Sequence, residues 1–247
     1  MESQINEGIE APRTLQRLVA SSLALLCILL ALATPASAQN QRVIDEILVL
    51  VDGDIITRTD LIWNLALDKN APSPAGPVSA DLLARELDTT INQRLLAHEA
   101  ARLPSAEITK DEVDKKRVEL SQQFSSEAAF RTRIESVGLT PDKLDEMIRQ
   151  LIAIERFVEF RFRSFVFVSE QDIQRFYDQE FAPKMRDGGA VPQPLDAVLP
   201  NKRTVREDIA EIVKAEKITQ EIDRWLTDAS QRAEIVKLAE PRGSNAG

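Results

Sequence analysis

Residues 43–51, VIDEILVLV, end in five consecutive apolar residues, and Asp52-Gly53 follows before Asp54-Ile55-Ile56-Thr57. An apolar run, a DG turn and a second β-branched run read as a β-hairpin, because glycine accepts the positive φ that a tight turn demands. This hairpin constrains the rest of the chain, since two strands alone do not hold together in water and need a third strand or a helix over their apolar face. Far along the sequence, residues 233–238, AEIVKL, are short and β-branched enough to be that third strand, which would bring the two ends of the folded chain together. Composition limits the remainder. With 43% apolar, 29% charged and 5% aromatic residues, the chain has too much apolar side chain for disorder and too few strand-forming aromatics for a sandwich or barrel. The expected fold class is mainly α: a helical module with a small β-sheet formed by the N-terminal hairpin and a C-terminal strand.

Between the strands the pattern is helical. Thr59 is positioned to cap a helix through Trp63 and Leu67, which gives way to a loop over residues 70–77 with three prolines. Ser79 opens a long helix with Leu82, Leu83, Leu87, Ile91, Leu95 and Leu96 on one side, closed before Pro104. Thr109 and Glu112 form a capping box, Ser126 starts a short helix that Gly138 stops, and Thr140-Pro141 supplies a cap and a first-turn proline. The helix expected over residues 141–164 places Leu144, Met147, Ile148, Leu151, Ile154, Val158, Phe162 and Phe165 in one sector roughly 100° wide. Phe157, Phe160 and Phe167 fall on the opposite side. A helix with two apolar faces is either sandwiched or shows one face to something outside the chain. Ser169 and Asp172 cap a helix carrying Ile173, Phe176, Tyr177 and Phe181, after which residues 183–200 hold four prolines and Gly188-Gly189 and read as a linker. Thr204 and Glu207 form another capping box, opening a helix to about Gln231. Its apolar side moves: Ile209, Ile212 and Val213 lie near one azimuth, and Ile218, Ile222, Trp225 and Ala229 on nearly the reverse.

The first 38 residues read as a cleaved signal peptide. Arg13 and Arg17 precede an almost unbroken apolar run over residues 18–33, and Ala36-Ser37-Ala38 presents small residues where a signal peptidase reads, so that the mature chain would start at Gln39. The competing reading is an uncleaved anchor, for which the run is slightly short. Leu26 before Cys27 lacks the small residue of a lipoprotein signal. A net charge of −9 with no basic block argues against nucleic acid and anionic lipid surfaces. Cys27 is the sole cysteine and His98 the sole histidine, which leaves no thiolate zinc site, intrachain disulfide or HExxH centre within one chain. No GxxxxGK[ST] loop marks a nucleotide site. The expectation is no metal, no cofactor and no catalytic residue. Neither His98 nor the helix-surface acids form a pair suited to acid–base chemistry.

An opening VIDEILVLVDGDIITRTDL, a set of capped helices, the segment VSEQDIQRFYDQEF and a closing helix followed by AEIVKL resemble the SurA family of periplasmic chaperones, and most closely its N-terminal module, related in architecture to the trigger factor peptide-binding domain. The resemblance covers nearly all of residues 43–239. It implies a domain over residues 39–182 completed by residues 201–239, with a disordered tail over 240–247. In SurA and in PrsA-like foldases one or two parvulin prolyl isomerase domains lie between the last two helical segments. Here that interval is residues 183–200, and the histidine pair of a parvulin site has no counterpart beside His98.

The resemblance implies an ATP-independent periplasmic holdase, not an enzyme, whose partners are unfolded exported polypeptides, above all outer-membrane protein precursors, with no stable membrane insertion after signal cleavage. The alternatives are a prolyl isomerase-related foldase working through a partner or a cryptic site, and a structural envelope adaptor for one dedicated partner. Five of the nine phenylalanines lie in residues 157–167. Either Phe157 and Phe160 pack beneath the closing helix and Trp225, or such rings line a groove for extended polypeptide. The expected client contacts are Phe157, Phe160, Phe167, Phe176, Tyr177 and Trp225.

Overall fold

The computed structural model describes residues 45–104 and 107–243; the signal segment and the start at Gln39 lie outside the described residues. Strands β1 (Ile47–Val51) and β2 (Asp54–Thr57) pair antiparallel, with Leu50 opposite Ile55. At the turn, Asp52 and Gly53 have φ of 50° and 89°, the doubly left-handed geometry whose twist matches that of the strands it joins. Strand β3 (Ile235–Lys237) takes the other edge of β1, antiparallel, with Leu50 opposite Val236, so the sheet order is β2-β1-β3. The turn is bonded to the incoming strand as well: Asp52 N–H donates to the Glu234 carbonyl (2.9 Å), and Glu234 N–H donates to the Asp52 carboxylate (2.8 Å). An irregularity between Ile47 and Val49 turns Leu48 and Val49 both inward, where they are fully buried with Val51 and Ile56.

Helices α1 (Arg58–Leu67) and α2 (Ala80–Arg102) cover that face through Leu61, Leu65, Leu83, Leu87 and Ile91. The cap of α1 is Thr57, not Thr59 as the sequence suggested. Strand β2 runs straight into the helix, so its last residue is already extended and exchanges bonds with Asp60 in a capping box. The Thr59 N–H is instead satisfied by the Asp45 carboxylate (3.0 Å). Ser79 caps α2 as expected.

A second core gathers α3 (Lys110–Ser121), α4 (Glu127–Glu135) and α5 (Pro141–Val158) around Val113, Phe130, Ile134, Leu144 and Ile148. Their caps are Thr109 with Glu112, Ser126, and Thr140 followed by Pro141, and Gly138 (φ 70°) stands in the turn after α4. This core is fastened to α1 by the packing of Trp63 and Leu67, by the Trp63 Nε1 bond to the Val137 carbonyl (3.2 Å) and by Arg133. The Arg133 guanidinium donates to the carbonyls of Leu65, Ala66, Asp68, Ala71 and Pro72 at 2.8–3.1 Å. It thereby satisfies acceptors that the end of a helix and the loop after it would otherwise leave bare.

After Val158 the helix does not continue in α form. A π-helical turn, Glu159–Arg163, follows, closed by Ser164 N–H to the Glu159 carbonyl (3.1 Å). Helix α6 (Glu170–Phe176), a second π turn (Tyr177–Phe181) and α7 (Ala182–Asp187) come next. The stretch read as a linker from residue 183 therefore begins inside a helix. The rest of it folds back on α8 (Val205–Arg232): Val205 and Arg206 N–H donate to the carbonyls of Ala197 (3.1 Å) and Leu195 (2.8 Å), and Leu195, Ala197 and Leu199 pack near Val205 and Ile209. Prolines remove helical periodicity without preventing apolar packing. The tail expected from residue 240 is also partly placed, with Pro241 buried and the Arg58 Nε donating to the Arg242 carbonyl (3.4 Å).

The shifting stripe of α8 meets three partners in turn. Val205, Ile209 and Val213 join Ile173; Ile218, Ile222 and Trp225 join Leu96, Ala100, Phe157 and Phe162; Ala229 enters the sheet core. Ile212, expected beside Ile209, is instead 44% exposed. Replacing Arg133 by Met removes charge-assisted bonds and leaves carbonyls unpaired. This costs about 2 kcal/mol and lowers Tm by roughly 4–8 °C in thermal unfolding; an unchanged Tm would show that water satisfies those carbonyls equally well.

Candidate functional site

The end of α5 and the turn after it present their phenylalanines in two ways. Phe157 (5% exposed) and Phe162 (4%) are buried with Trp225, the three rings meeting edge to face at centroid separations of 5.6–6.2 Å. That arrangement sets the positive edge of one ring against the negative face of the next. Phe160, Phe165 and Phe167 point outward, at 59%, 74% and 80% exposure.

Phe157 lies in α5 ahead of the π turn and is covered by α8, and the π turn bears on the rings after Val158. Its hydrogen bond spans one residue more than an α turn, so each residue rotates the chain by less than 100° and side chains beyond Val158 fall behind the helical-wheel extrapolation. Phe165, assigned by that wheel to the core sector, therefore emerges on the surface. Phe157, on the second apolar face, packs under Trp225 as one of the two sequence alternatives had it and forms a floor, which removes it from the exposed contacts. Phe160 does not pack beneath the closing helix. It lies over a shallow apolar depression of about 800 Å³ with Ile152, Ile154 and Val158.

Phe165 and Phe167 form one wall of a groove of about 630 Å³ whose floor is Phe162 and Trp225 and whose other wall is α8. Its rim is charged and of mixed sign, with Arg161, Lys217 and Arg224 against Glu221 and Asp228. Arg224 is paired to Glu221 (2.8 Å), and the Arg161 guanidinium lies 5.6 Å from the centre of the Phe162 ring. Such a groove pairs exposed aromatic rings with a charged rim of both signs, so apolar contact can be made by many sequences while the rim adds polar contacts.

Lys217 sets the position of the Phe167 wall. Its Nζ donates to the Phe167 carbonyl (3.1 Å) and to the Asp172 carboxylate (2.6 Å), tying the loop before α6 to the middle of α8. The Lys217 bond, then those from the Ser169 hydroxyl and backbone within the capping box, hold the Asp172 carboxyl well below the usual carboxylate range. Phe176 and Tyr177 lie elsewhere. They pack half-buried with Ile173, Val205 and Ile209, the Tyr177 hydroxyl donates to the Gln193 carbonyl (3.0 Å), and its ring stacks on Phe181 at 5.7 Å. The six expected contacts thus divide: Phe167 and Trp225 share the groove over buried Phe157, Phe160 stands alone, and Phe176 and Tyr177 serve another core. Phe162 and Phe165 complete the groove, and the Phe-rich spacing was the one sequence signal pointing to them.

Among the described residues no group of three or more His, Asp or Glu side chains is gathered to hold a metal ion, and no helix is long and apolar enough to cross a membrane. His98 lies between two hairpin carboxylates, with Nε2 2.7 Å from Asp54 and Nδ1 3.6 Å from Asp52, a contact that fixes α2 to the β-turn.

No protein-family model matches the chain. It is similar to chaperone SurA of Ralstonia nicotianae (28% identical over 152 residues, 60% of this chain and 30% of that protein). It is also similar to chaperone SurA of Cupriavidus pinatubonensis (25% over 210 residues, 83% of this chain and 41% of that protein) and of Cupriavidus metallidurans (25% over 146 residues, 58% and 29%). The chain thus spans well under half the length of these curated relatives. The similarities support a SurA-like family.

Because the folded-state pKa of Asp172 is depressed, its stabilising contribution is fully present above the ordinary carboxylate range and is lost progressively as pH falls below that range towards the depressed folded-state pKa. Lys217→Met should therefore lower Tm by several degrees at pH 7, with the gap to the unaltered protein narrowing below about pH 4. A gap independent of pH would assign the effect to the Phe167 contact alone.

Proposed function

We propose that the protein is an ATP-independent periplasmic chaperone that holds unfolded exported polypeptides, outer-membrane protein precursors among them, against the aromatic groove and the separate exposed ring of Phe160. The observation that carries this reading is the exposure of Phe160, Phe165 and Phe167 from one short stretch, in a chain whose relatives are named chaperones. Large apolar rings left in water cost nothing further on folding and gain when a partner covers them. The packed trio of Phe157, Phe162 and Trp225 beneath keeps the groove from collapsing, so binding does not have to order it first. The acidic balance of the chain, −9 over the full sequence, keeps a protein with such a patch apart from its own copies. Export by the N-terminal signal segment is part of the reading.

Holding, rather than prolyl isomerisation, is the activity proposed. The interval at residues 183–200 is spent on α7 and on the return that packs Leu195, Ala197 and Leu199 near α8. It leaves far less chain than a folded domain of about 50 residues or more requires.

The test dilutes a urea-unfolded outer-membrane β-barrel precursor into buffer with the protein and follows light scattering. Partial burial of each ring supplies on the order of 1 kcal/mol, so the triple variant Phe160→Ser, Phe165→Ser, Phe167→Ser should bind about 100-fold more weakly. It should lose its suppression of scattering while keeping its Tm. Equal suppression by variant and unaltered protein would overturn the groove, and no suppression by the unaltered protein would overturn the chaperone reading.

A further inference from the structure

A separate cleft of about 430 Å³ opens between α1, α2, α3 and α5. Its walls are apolar: Leu67, Leu120, Met147, Leu151 and Ile154. The last three belong to the α5 sector expected to face a core, and they are only half-buried because the cleft lies in front of them. The polar side is a short network on α1 and α2. The Thr90 hydroxyl, 4% exposed, accepts from Asn64 Nδ2 (2.9 Å) and donates to Glu86 Oε1 (3.4 Å).

Glu86 stands out among the acids of this region. Around it on α3 and α5, Glu155 is paired to Lys116, Glu112 to Arg156 and Asp145 to Arg117. None of the residues lining the cleft is basic, and the charged groups facing it are Glu86 from α2 and Asp68 beyond the end of α1. Burial pushes the Glu86 carboxyl up to about 7, opposed by hydrogen bonds from Asn64 and Thr90 and reinforced by the charge of Asp68. The folded protein therefore holds a desolvated acid at the edge of an apolar cleft, with no cation among the described residues paired to it.

We propose that this cleft takes an extended segment of unfolded polypeptide bearing a lysine or arginine, the cation meeting Glu86 and the flanking apolar side chains lying on Met147, Leu151 and Ile154. The proposal rests on the chaperone reading and adds a substrate preference to it. A lysine suits both surfaces, since its methylene stem covers apolar wall while its ammonium reaches the carboxylate. Met147 adapts to different neighbours on the client. Cation binding competes with the proton on Glu86, so the preference strengthens as pH rises through neutrality.

The experiment measures fluorescence anisotropy of a labelled apolar peptide carrying one central lysine, and of the same peptide with norleucine there, titrated with the full chain at pH 6 and pH 8. At pH 8 the lysine peptide should bind about tenfold more tightly, the scale of a charge-assisted hydrogen bond, and the ratio should shrink at pH 6. Glu86→Gln should abolish the ratio. It should fold with a Tm at pH 8 equal to or above that of the unaltered protein, because it removes a desolvated charge. Thr89→Lys, which puts an ammonium one turn from Glu86 on the same helix, should abolish it too. Equal affinity for the two peptides in the unaltered protein, or a ratio that survives both substitutions, would overturn the lysine assignment and leave the chaperone reading standing. Failure of both peptides to bind would overturn this proposal, and the chaperone reading falls separately if precursor aggregation also goes unsuppressed.

Discussion

Helix α8 carries apolar side chains whose azimuth changes along its length, and no single flat neighbour can cover them. Its first turns lie on Ile173, its middle on Phe157 and Phe162, and its end beside the sheet. Because β3 follows directly, the helix also delivers the strand that completes the sheet begun far earlier in the chain. Three cores are thereby joined through one element. Loss of α8 would strip a strand from β1 and the cover from the aromatic trio at once, which predicts cooperative behaviour from parts distant in sequence.

The same bridging helix creates the groove. Trp225 packs on Phe157 and Phe162, and after the five-residue π turn that carries Phe162 the chain leaves the helix, with Phe165 off the core sector and Phe167 outward. Exposure of those rings is a consequence of the packing beneath them. Lys217 then holds the Phe167 backbone beside α8 by a direct bond to its carbonyl and by a second bond to the buried Asp172. π turns of this kind recur at functional sites, where an added residue re-aims side chains.

Features written in local chemistry were legible in the sequence. The Asp52-Gly53 turn, the capping boxes at Thr109 and Thr204, and the strand at Ile235–Lys237 all follow from short-range rules. Misreadings arose where tertiary contact decides the outcome. The wheel from Leu144 holds through Ile148 and fails after Val158, since nothing near Glu159 announces an i→i+5 bond. Thr57 replaces Thr59 as a cap because a strand runs directly into the helix. The proline-rich stretch packs through Leu195 and Leu199, too few apolar residues to show a period. Of the site, the Phe-rich cluster was visible, but not which rings are floor and which are wall, nor that Phe176 and Tyr177 belong to a different core. Glu86 gave no sign, since an acid on a helix reads as solvated until its neighbours are known.

Native-state hydrogen exchange tests most directly whether α8 closes the molecule. If it does, the amides of β1 that bond β3 and those of α8 around Ile218–Trp225 open together, with one free energy and one dependence on denaturant. Exchange of α8 and β3 by a low-energy local opening, with β1 and α2 still protected, would contradict the account and make the closing helix an accessory to a fold that stands without it.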